Sequence, residues 1–316
     1  MHVAAAPSDS EPLRLIELAP LKLGPRDVRV RVKAIGVNPV DWKMRTGGPI
    51  RLAHRLLGPS GPLVVGIDFA GEVFEAGAKA DLKVGARVVG GADFSRGQHG
   101  SYADELVVRD EQCAILPDNV SFTDAACVPI PGSTAQRAFD VGRLATVKNP
   151  KVLVLGAAGG VGQVTLQLAR NLGGSTAGVC SGRNVALVEQ LGAKALDYTK
   201  GDPLEAARAH GPYDLIVNAV GTATYALSKL KSLLAPTGRI ALVVVRPADW
   251  PSMIFTGRVK AVLGRPNRST LQPLVEAMAR GALKVPIEKQ FPLAEAEQAH
   301  ELSRGGKVIG KLLLIP

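Results

Sequence analysis

The spacing of apolar residues changes rhythm part-way along the chain. Up to Pro117, short β-branched runs recur between Gly and Pro turns: VRVRVKAIGV, VVGIDFAGEVFEAG, VGARVVGG and SYADELVV. In the first run Val28, Val30 and Val32 alternate with Arg29, Arg31 and Lys33. That period of two turns one strand face to a core and the other to water. Turn signals about every ten residues predict a strongly bent, mostly antiparallel β domain. The following LPDNVSFTDAACVPIPGSTAQRAF reads as a helix-bearing linker.

Beyond the linker, apolar strands alternate with helical periods. KVLVL, STAGVC, DLIVNAV and RIALVVV read as strands, with helices predicted over Val161 to Leu172, Asn184 to Leu191 and Tyr225 to Leu234. Apolar runs separated by helices are the pattern of a parallel sheet covered on both faces. Residues 123–258 are therefore predicted to form a doubly wound α/β domain. The tail holds a helix around Leu271 to Arg280, a polar helical segment near Glu295 to Leu302, and a closing strand VIGKLLLI. With no helix after it, that strand is expected to return to the N-terminal sheet, so 1–122 and 259–316 make up the other domain.

Composition narrows this picture. At 316 residues, 46% hydrophobic and 21% charged, the chain is long enough for two packed domains and excludes extended disorder. Its apolar runs are far shorter than the roughly 20 residues of a membrane span. Acidic and polar residues follow Met1 too soon for a secretory signal, so a cytoplasmic location is expected. Cys113, Cys127 and Cys180 are scattered, with no C-x-x-C pair, and read as reduced thiols. The net charge of +10 comes from Lys and Arg spread along the chain with few aromatics. That pattern argues against a nucleic-acid partner and for attraction of anionic small molecules.

Candidate chemistry centres on KVLVLGAAGGVGQVTLQLARNLGG, Lys151 to Gly174. Strand, glycine turn and helix follow in the order that aims a helix N-terminus at a pyrophosphate. The G-x-G-x-x-G fingerprint runs from Ala157 to Gly162 with alanine in its first position, and makes Ala158, Gly159, Gly160 and Val161 cofactor-binding candidates. A glycine turn that only packs helix on sheet is the other reading. In NAD-selective domains an acidic residue about twenty positions on holds the ribose hydroxyls. Here that position is Cys180, and Gly178 to Asn184 contains no carboxylate. Ser181 and Asn184 can hydrogen-bond a 2′-phosphate and Arg183 can pair with it, which favours NADPH over NADH. Alternatively Arg183 is a solvated residue and either cofactor serves.

GVNPVDWKMRTG, GIDFAGEV, VGARVVGG, GSYADELVV, AAGGVG, LGAKALDYT and IGKLLLI, in this order, resemble the medium-chain dehydrogenase/reductase superfamily over nearly the whole chain. Within it they resemble the zinc-free quinone oxidoreductase branch, which includes enone reductases. The resemblance implies a GroES-like bent β domain beside the Rossmann domain. It implies no zinc: Val37 to Pro39 and Gly66-Ile67-Asp68 stand where zinc-containing members carry a cysteine and a histidine. It implies hydride transfer from NADPH to the conjugated C=C of an enone, enal or enoyl thioester, with a quinone reductase or a non-catalytic NADPH-binding protein as alternatives.

By the same resemblance Asn38 lies near the nicotinamide, where its amide orients ring or substrate. An Asn-Pro turn capping its own backbone is the other reading. Asp41 and Lys43 follow, and Lys43 is a candidate for meeting an anionic substrate group or enolate charge, or else a surface lysine. Thr134 matches a threonine near the nicotinamide, or is an ordinary residue near a helix start. Tyr198 matches a tyrosine near the adenosine phosphate. Val220 and Gly221, with Val244, Val245 and Arg246, end parallel strands where ligands of this fold bind. No tyrosine lies between Gly47 and Asp68, and His54 is not chosen as a proton donor. The apolar RIALVVV is expected at a sheet edge that pairs across a two-fold axis, making a homodimer.

Overall fold

The computed structural model describes residues 1–6, 11–46, 52, 56–59 and 61–316; His54 lies outside them. The chain divides into two compact units, Met1–Ile130 with Arg265–Pro316, and Pro131–Gly264.

Unit 1 begins with β1 (His2–Ala6), β2 (Arg14–Glu17), β3 (Asp27–Val37), α1 (Pro39–Lys43), β4 (Leu63–Val64) and β5 (Asp68–Ala76). It continues through β6 (Arg87–Gly91), β7 (Glu105–Arg109), β8 (Cys113–Ile115) and α2 (Phe122–Ala126). Helix α3 (Pro129–Gly142) carries the chain into unit 2. There follow β9 (Lys151–Leu155), α4 (Gly160–Asn171), β10 (Ser175–Cys180), α5 (Val185–Gln190) and β11 (Lys194–Asp197). Next come α6 (Pro203–Arg208), β12 (Tyr213–Asn218), α7 (Leu227–Lys231), β13 (Leu234–Leu242), α8 (Trp250–Phe255) and β14 (Val259–Ala261). The chain then returns to unit 1 with α9 (Arg268–Ala279), β15 (Ile287–Pro292), α10 (Ala296–Arg304) and β16 (Lys311–Ile315).

In unit 1, β3 is the hub, bonded antiparallel to β5, β7 and β16. Val28, Val30 and Val32 are buried while Arg31 and Lys33 are exposed, so the alternation in the sequence became a two-faced strand. The closing strand β16 lies along β3 with Leu312 opposite Val37 and Leu314 opposite Ile35. Its other neighbour, β15, gave no strand signal because Glu288, Lys289 and Gln290 are exposed on a sheet edge. Helix α2 stays with this unit: Ala126 O lies 2.1 Å from where a Cβ on Gly36 would stand.

The sheet of unit 2 is parallel throughout, in the order β11-β10-β9-β12-β13-β14. Counted from its first strand this is 3-2-1-4-5-6, the doubly wound order of a Rossmann domain. Val152 and Val154 pack with residues of α3, α4 and α5 on one face. Leu153 and Leu155 pack with residues of α6 and the Leu230–Leu233 turn on the other. Covered on both faces, these strands needed the continuous apolar runs read in the sequence.

Two expectations are corrected here. RIALVVV does not run along a sheet edge: its strand ends at Leu242, and β14 pairs with it through Ile240 and Val259. A three-residue strand is too short to show a period, so the segment after Trp250 concealed it. The helix expected over Tyr225 to Leu234 is the single turn α7, because Leu234 already pairs with Tyr213 at the start of β13.

Candidate active site

In unit 2 the strand order reverses between β9 and β12, and ligands of open α/β sheets bind at the carboxyl ends flanking such a point. The glycine turn sits there. Gly156, with φ +87°, makes the tight turn one residue ahead of the fingerprint, which is why alanine is admitted at 157. Ala157 is itself buried, and its Cβ lies 2.7 Å from the place a side chain on Gly178 would take. Gly162 is compelled by packing, since a Cβ there would lie 2.3 Å from Gly156 O. Gly159 is different: it is the N-cap of α4, and the nearest atom to its missing Cβ is 3.6 Å away. Gly160 and Val161 open the helix, whose first N–H groups lack intrahelical partners. Gln163 Nε2 braces the turn by donating to Ala158 O at 2.7 Å.

The facing turn after β12 is fixed by Asn218, whose Oδ1 accepts the N–H groups of Val220 (3.1 Å) and Gly221 (2.9 Å). Gly221 has φ +90°, and Val220 packs toward Gly156. Past β13, Val244 lies against Gly221, Val245 is partly exposed, and Arg246 donates to Thr222 Oγ1 at 2.9 Å. Thr222 in turn donates to Asp249 Oδ1 at 2.7 Å. A glycine-lined cradle at a helix N-terminus and switch point fits a dinucleotide.

At the end of β10, Cys180 is buried and burial pushes its thiol up to about 11, leaving its carbonyl to accept the Tyr198 N–H. Beyond it Asn184 Nδ2 donates to Ser181 Oγ at 3.1 Å, Arg183 is exposed, and Tyr198 is half exposed. Asp197, which ends β11, was missed by reasoning confined to 178–184. Its Oδ2 stands 2.9 Å from the position a Cβ on Gly182 would occupy. Its Oδ1 accepts from Thr199 N and Oγ1, bonds that hold the carboxyl below its usual range. Thr134 is buried within α3.

In unit 1 the polar residues gather beneath Asn38. Asn38, Asp68 and Lys311 are 2%, 0% and 3% exposed. Lys311 Nζ donates to Val37 O (2.8 Å) and Asn38 Oδ1 (2.7 Å) and lies 3.4 Å from Asp68 Oδ2. Asn38 Nδ2 donates to Asp68 Oδ2 (2.9 Å) and Gly36 O (3.3 Å), and Asp68 Oδ1 accepts the Ile130 N–H (3.0 Å). The Asn38 amide is thus turned inward and does not cap α1. The Asp41 N–H goes to the Asn38 carbonyl at 3.0 Å instead, and the Asp41 carboxyl accepts the Asn38 N–H at 2.7 Å. Lys43 is exposed and stands over the Trp42 ring, 5.4 Å from its centroid, apart from this cluster.

A second chain of bonds ends on Asp41. Arg45 Nη1 lies 3.4 Å from His300 Nδ1, and His300 Nε2 lies 3.0 Å from the Tyr102 hydroxyl, which donates to Asp41 Oδ2 at 3.2 Å. Arg45 has only protons to give, so His300 accepts at Nδ1 and carries its proton on Nε2. Burial, then Arg45, hold His300 neutral with a pKa down to about 3. Burial pushes Asp41 up to about 7 and raises Asp68 also, against the pull of Lys311.

Among the described residues no three of His, Cys, Asp and Glu come together as a possible metal group, and no helix is long and apolar enough to cross a membrane. A family model described as zinc-binding dehydrogenase matches residues 191–314, and one described as alcohol dehydrogenase GroES-like domain matches residues 24–118. The trans-enoyl reductase pgmF of Aspergillus terreus is 30% identical over 98% of this chain and 94% of its own. The chloroplastic quinone-oxidoreductase homolog of Spinacia oleracea is 26% identical over 97% of this chain and 95% of its own. The solved quinone oxidoreductase of Coxiella burnetii matches 100% of this chain and 98% of its own, with a TM-score of 0.86 and 29% identity. Fold and relatives together define an oxidoreductase of an NAD(P)-binding family. The chain belongs to the medium-chain dehydrogenase/reductase superfamily, in the branch of quinone oxidoreductases and enoyl reductases.

Proposed function

We propose that this chain is an NADPH-dependent reductase that works without zinc and delivers hydride to the conjugated C=C of an enone, enal or enoyl thioester. The observation that carries the reading is the glycine cradle at the switch point of unit 2, with Gly156 making the turn and the side of Gly159 open. NADPH, when bound, supplies the hydride. The N–H groups at Gly159, Gly160 and Val161 hold the pyrophosphate. Ser181, Arg183, Asn184 and Tyr198, beside the carbonyl of Cys180, receive the adenosine 2′-phosphate. Val220, Gly221, Val244, Val245 and Arg246 border the rest of the cofactor, as does Thr134. In unit 1 the Asn38 turn and Lys43 are the substrate-side candidates, with Lys43 as an exposed cation for enolate or carboxylate charge. Hydride adds to the β-carbon, and a proton from solvent at the α-carbon restores the carbonyl. Lys311 supports the metal-free part of the reading, because an ammonium against Asp68 repels a second cation there.

Loss of NADPH absorbance is the measurement, with a panel of enones, enals and enoyl thioesters and identification of the saturated product. Turnover of the panel is expected; an inert panel alongside rapid turnover of 1,4-quinones overturns this reading in favour of a quinone reductase. NADPH binding with no turnover of any acceptor makes the chain a binding protein. NADPH is expected to exceed NADH in kcat/KM by about tenfold or more, as a 2′-phosphate paired with Arg183 requires. A second reading, equal use of NADH, is favoured by Asp197 behind Gly182. A cytoplasmic homodimer completes the proposal.

A further inference from the structure

Asn38 joins the end of β3 to α1, and its side chain is held from two remote parts of unit 1: Asp68 starts β5, and Lys311 starts the last strand. They lie 30 and 273 residues from Asn38 in the chain. A primary amide can turn half a revolution about its last torsion with almost no change of shape, so packing alone does not choose between its two orientations. Charge does. A carboxylate can only accept and an ammonium can only donate, so Nδ2 must face Asp68 and Oδ1 must face Lys311. The reversed amide would set oxygen against carboxylate and N–H against ammonium.

The same two side chains fix more than the amide. Lys311 also holds the Val37 carbonyl, and the second oxygen of Asp68 holds the Ile130 N–H in the first turn of α3. A buried ion pair is weak evidence for stability, since apolar residues of similar volume often serve as well. What this pair adds is one definite geometry for three chain segments. We propose that Asp68 and Lys311 are positioning residues of the reductase, locking the Asn38 turn and the first turn of α3 in the arrangement that turnover requires. This rests on the proposed reductase activity.

The test compares the wild type with Lys311→Met and with the paired variant Asp68→Asn/Lys311→Met, which leaves no unpaired buried charge. The paired variant is expected to keep its melting temperature within a few degrees and its dissociation constant for NADPH within about twofold, while kcat for the best enone falls about tenfold or more. Wild-type kcat in the folded paired variant overturns the proposal. Side-chain amide NMR on 15N-asparagine-labelled protein gives a readout free of catalysis. One slowly exchanging Asn38 Nδ2 pair is expected in the wild type, and a fast-exchanging or doubled pair in the paired variant. Identical signals in the two proteins overturn the positioning role. A wild type that binds NADPH but reduces no acceptor sinks the functional reading by itself, and the NMR comparison still decides whether the pair orients the amide.

Discussion

At the residue scale a few ionisable groups of unit 1, Asp41, Asp68, His300 and Lys311 among them, are buried away from water. Asp41 is the most informative of them. Its carboxyl is pushed from 3.8 to about 7, chiefly by burial, with Asp68 adding to the shift and the Asn38 N–H, Lys311 and Tyr102 opposing it. Between those two pH values the folded protein keeps a proton that the unfolded chain releases, so rising pH favours unfolding in that window and has no further effect above it. His300 works the other way: its pKa falls from 6.5 to about 3, so its contribution is present above 6.5 and is lost as pH falls. The two slopes oppose one another, and a difference measurement separates them. Asp41→Asn keeps an oxygen for the Asn38 N–H and removes the titration. The wild-type unfolding free energy minus that of the variant is expected to fall between pH 4 and 7, by up to about 4 kcal/mol, and to stay level above. Urea unfolding at a series of pH values checks this, and a flat difference refutes the buried titration.

At the scale of single elements, the strand–turn–helix from β9 to α4 assigns its glycines separate tasks. A methyl at Gly162 meets the backbone at 2.3 Å from Gly156 O and 2.8 Å from Ala157 Cα, and neither can swing aside. Gly162→Ala is therefore expected to cost about 2–3 kcal/mol and to lower the melting temperature. Gly159→Ala has room at 3.6 Å and a φ of −79°, so the fold should tolerate it. On the proposed cofactor placement its methyl would meet the pyrophosphate, and NADPH affinity is then expected to fall by about tenfold with little change in melting temperature. Titration calorimetry beside thermal unfolding separates the two outcomes; equal effects of both substitutions on stability would contradict the assignment.

At the scale of the whole molecule, the homodimer expected from an exposed RIALVVV has to be relocated, because β14 now borders the sheet of unit 2. Beside it α8 presents Trp250, Ile254 and Phe255, with Phe255 84% exposed. The proposed dimer is placed on that face, where apolar surface and an open three-residue edge coincide. Sedimentation equilibrium at micromolar protein is expected to give twice 33.0 kDa, and Ile254→Glu/Phe255→Glu to give the single-chain mass. A wild type of single-chain mass contradicts the dimer.

What the sequence determined by itself was whatever depends on near neighbours in the chain. The alternation of Val28, Val30 and Val32 and the apolar run of KVLVL set the two kinds of sheet. The residues from Gly156 to Gly162 are consecutive, so the strand–glycine turn–helix was legible even with alanine in the fingerprint. Its motifs in order also named the family. The boundary at β14 was not legible, since three residues carry no period. Nor was the cluster under Asn38, whose members lie 30 to 273 residues apart. One signal for it was present: Lys311 is the lone charge in VIGKLLLI, and a cation inside a buried strand must find an anion. Which anion, and that the pair would close on Asn38 and exclude Lys43, was decided by the tertiary structure. Antiparallel pairing of β16 with β3 carries the far end of the chain back to the first turn of α1, and short-range pattern contains no record of that return.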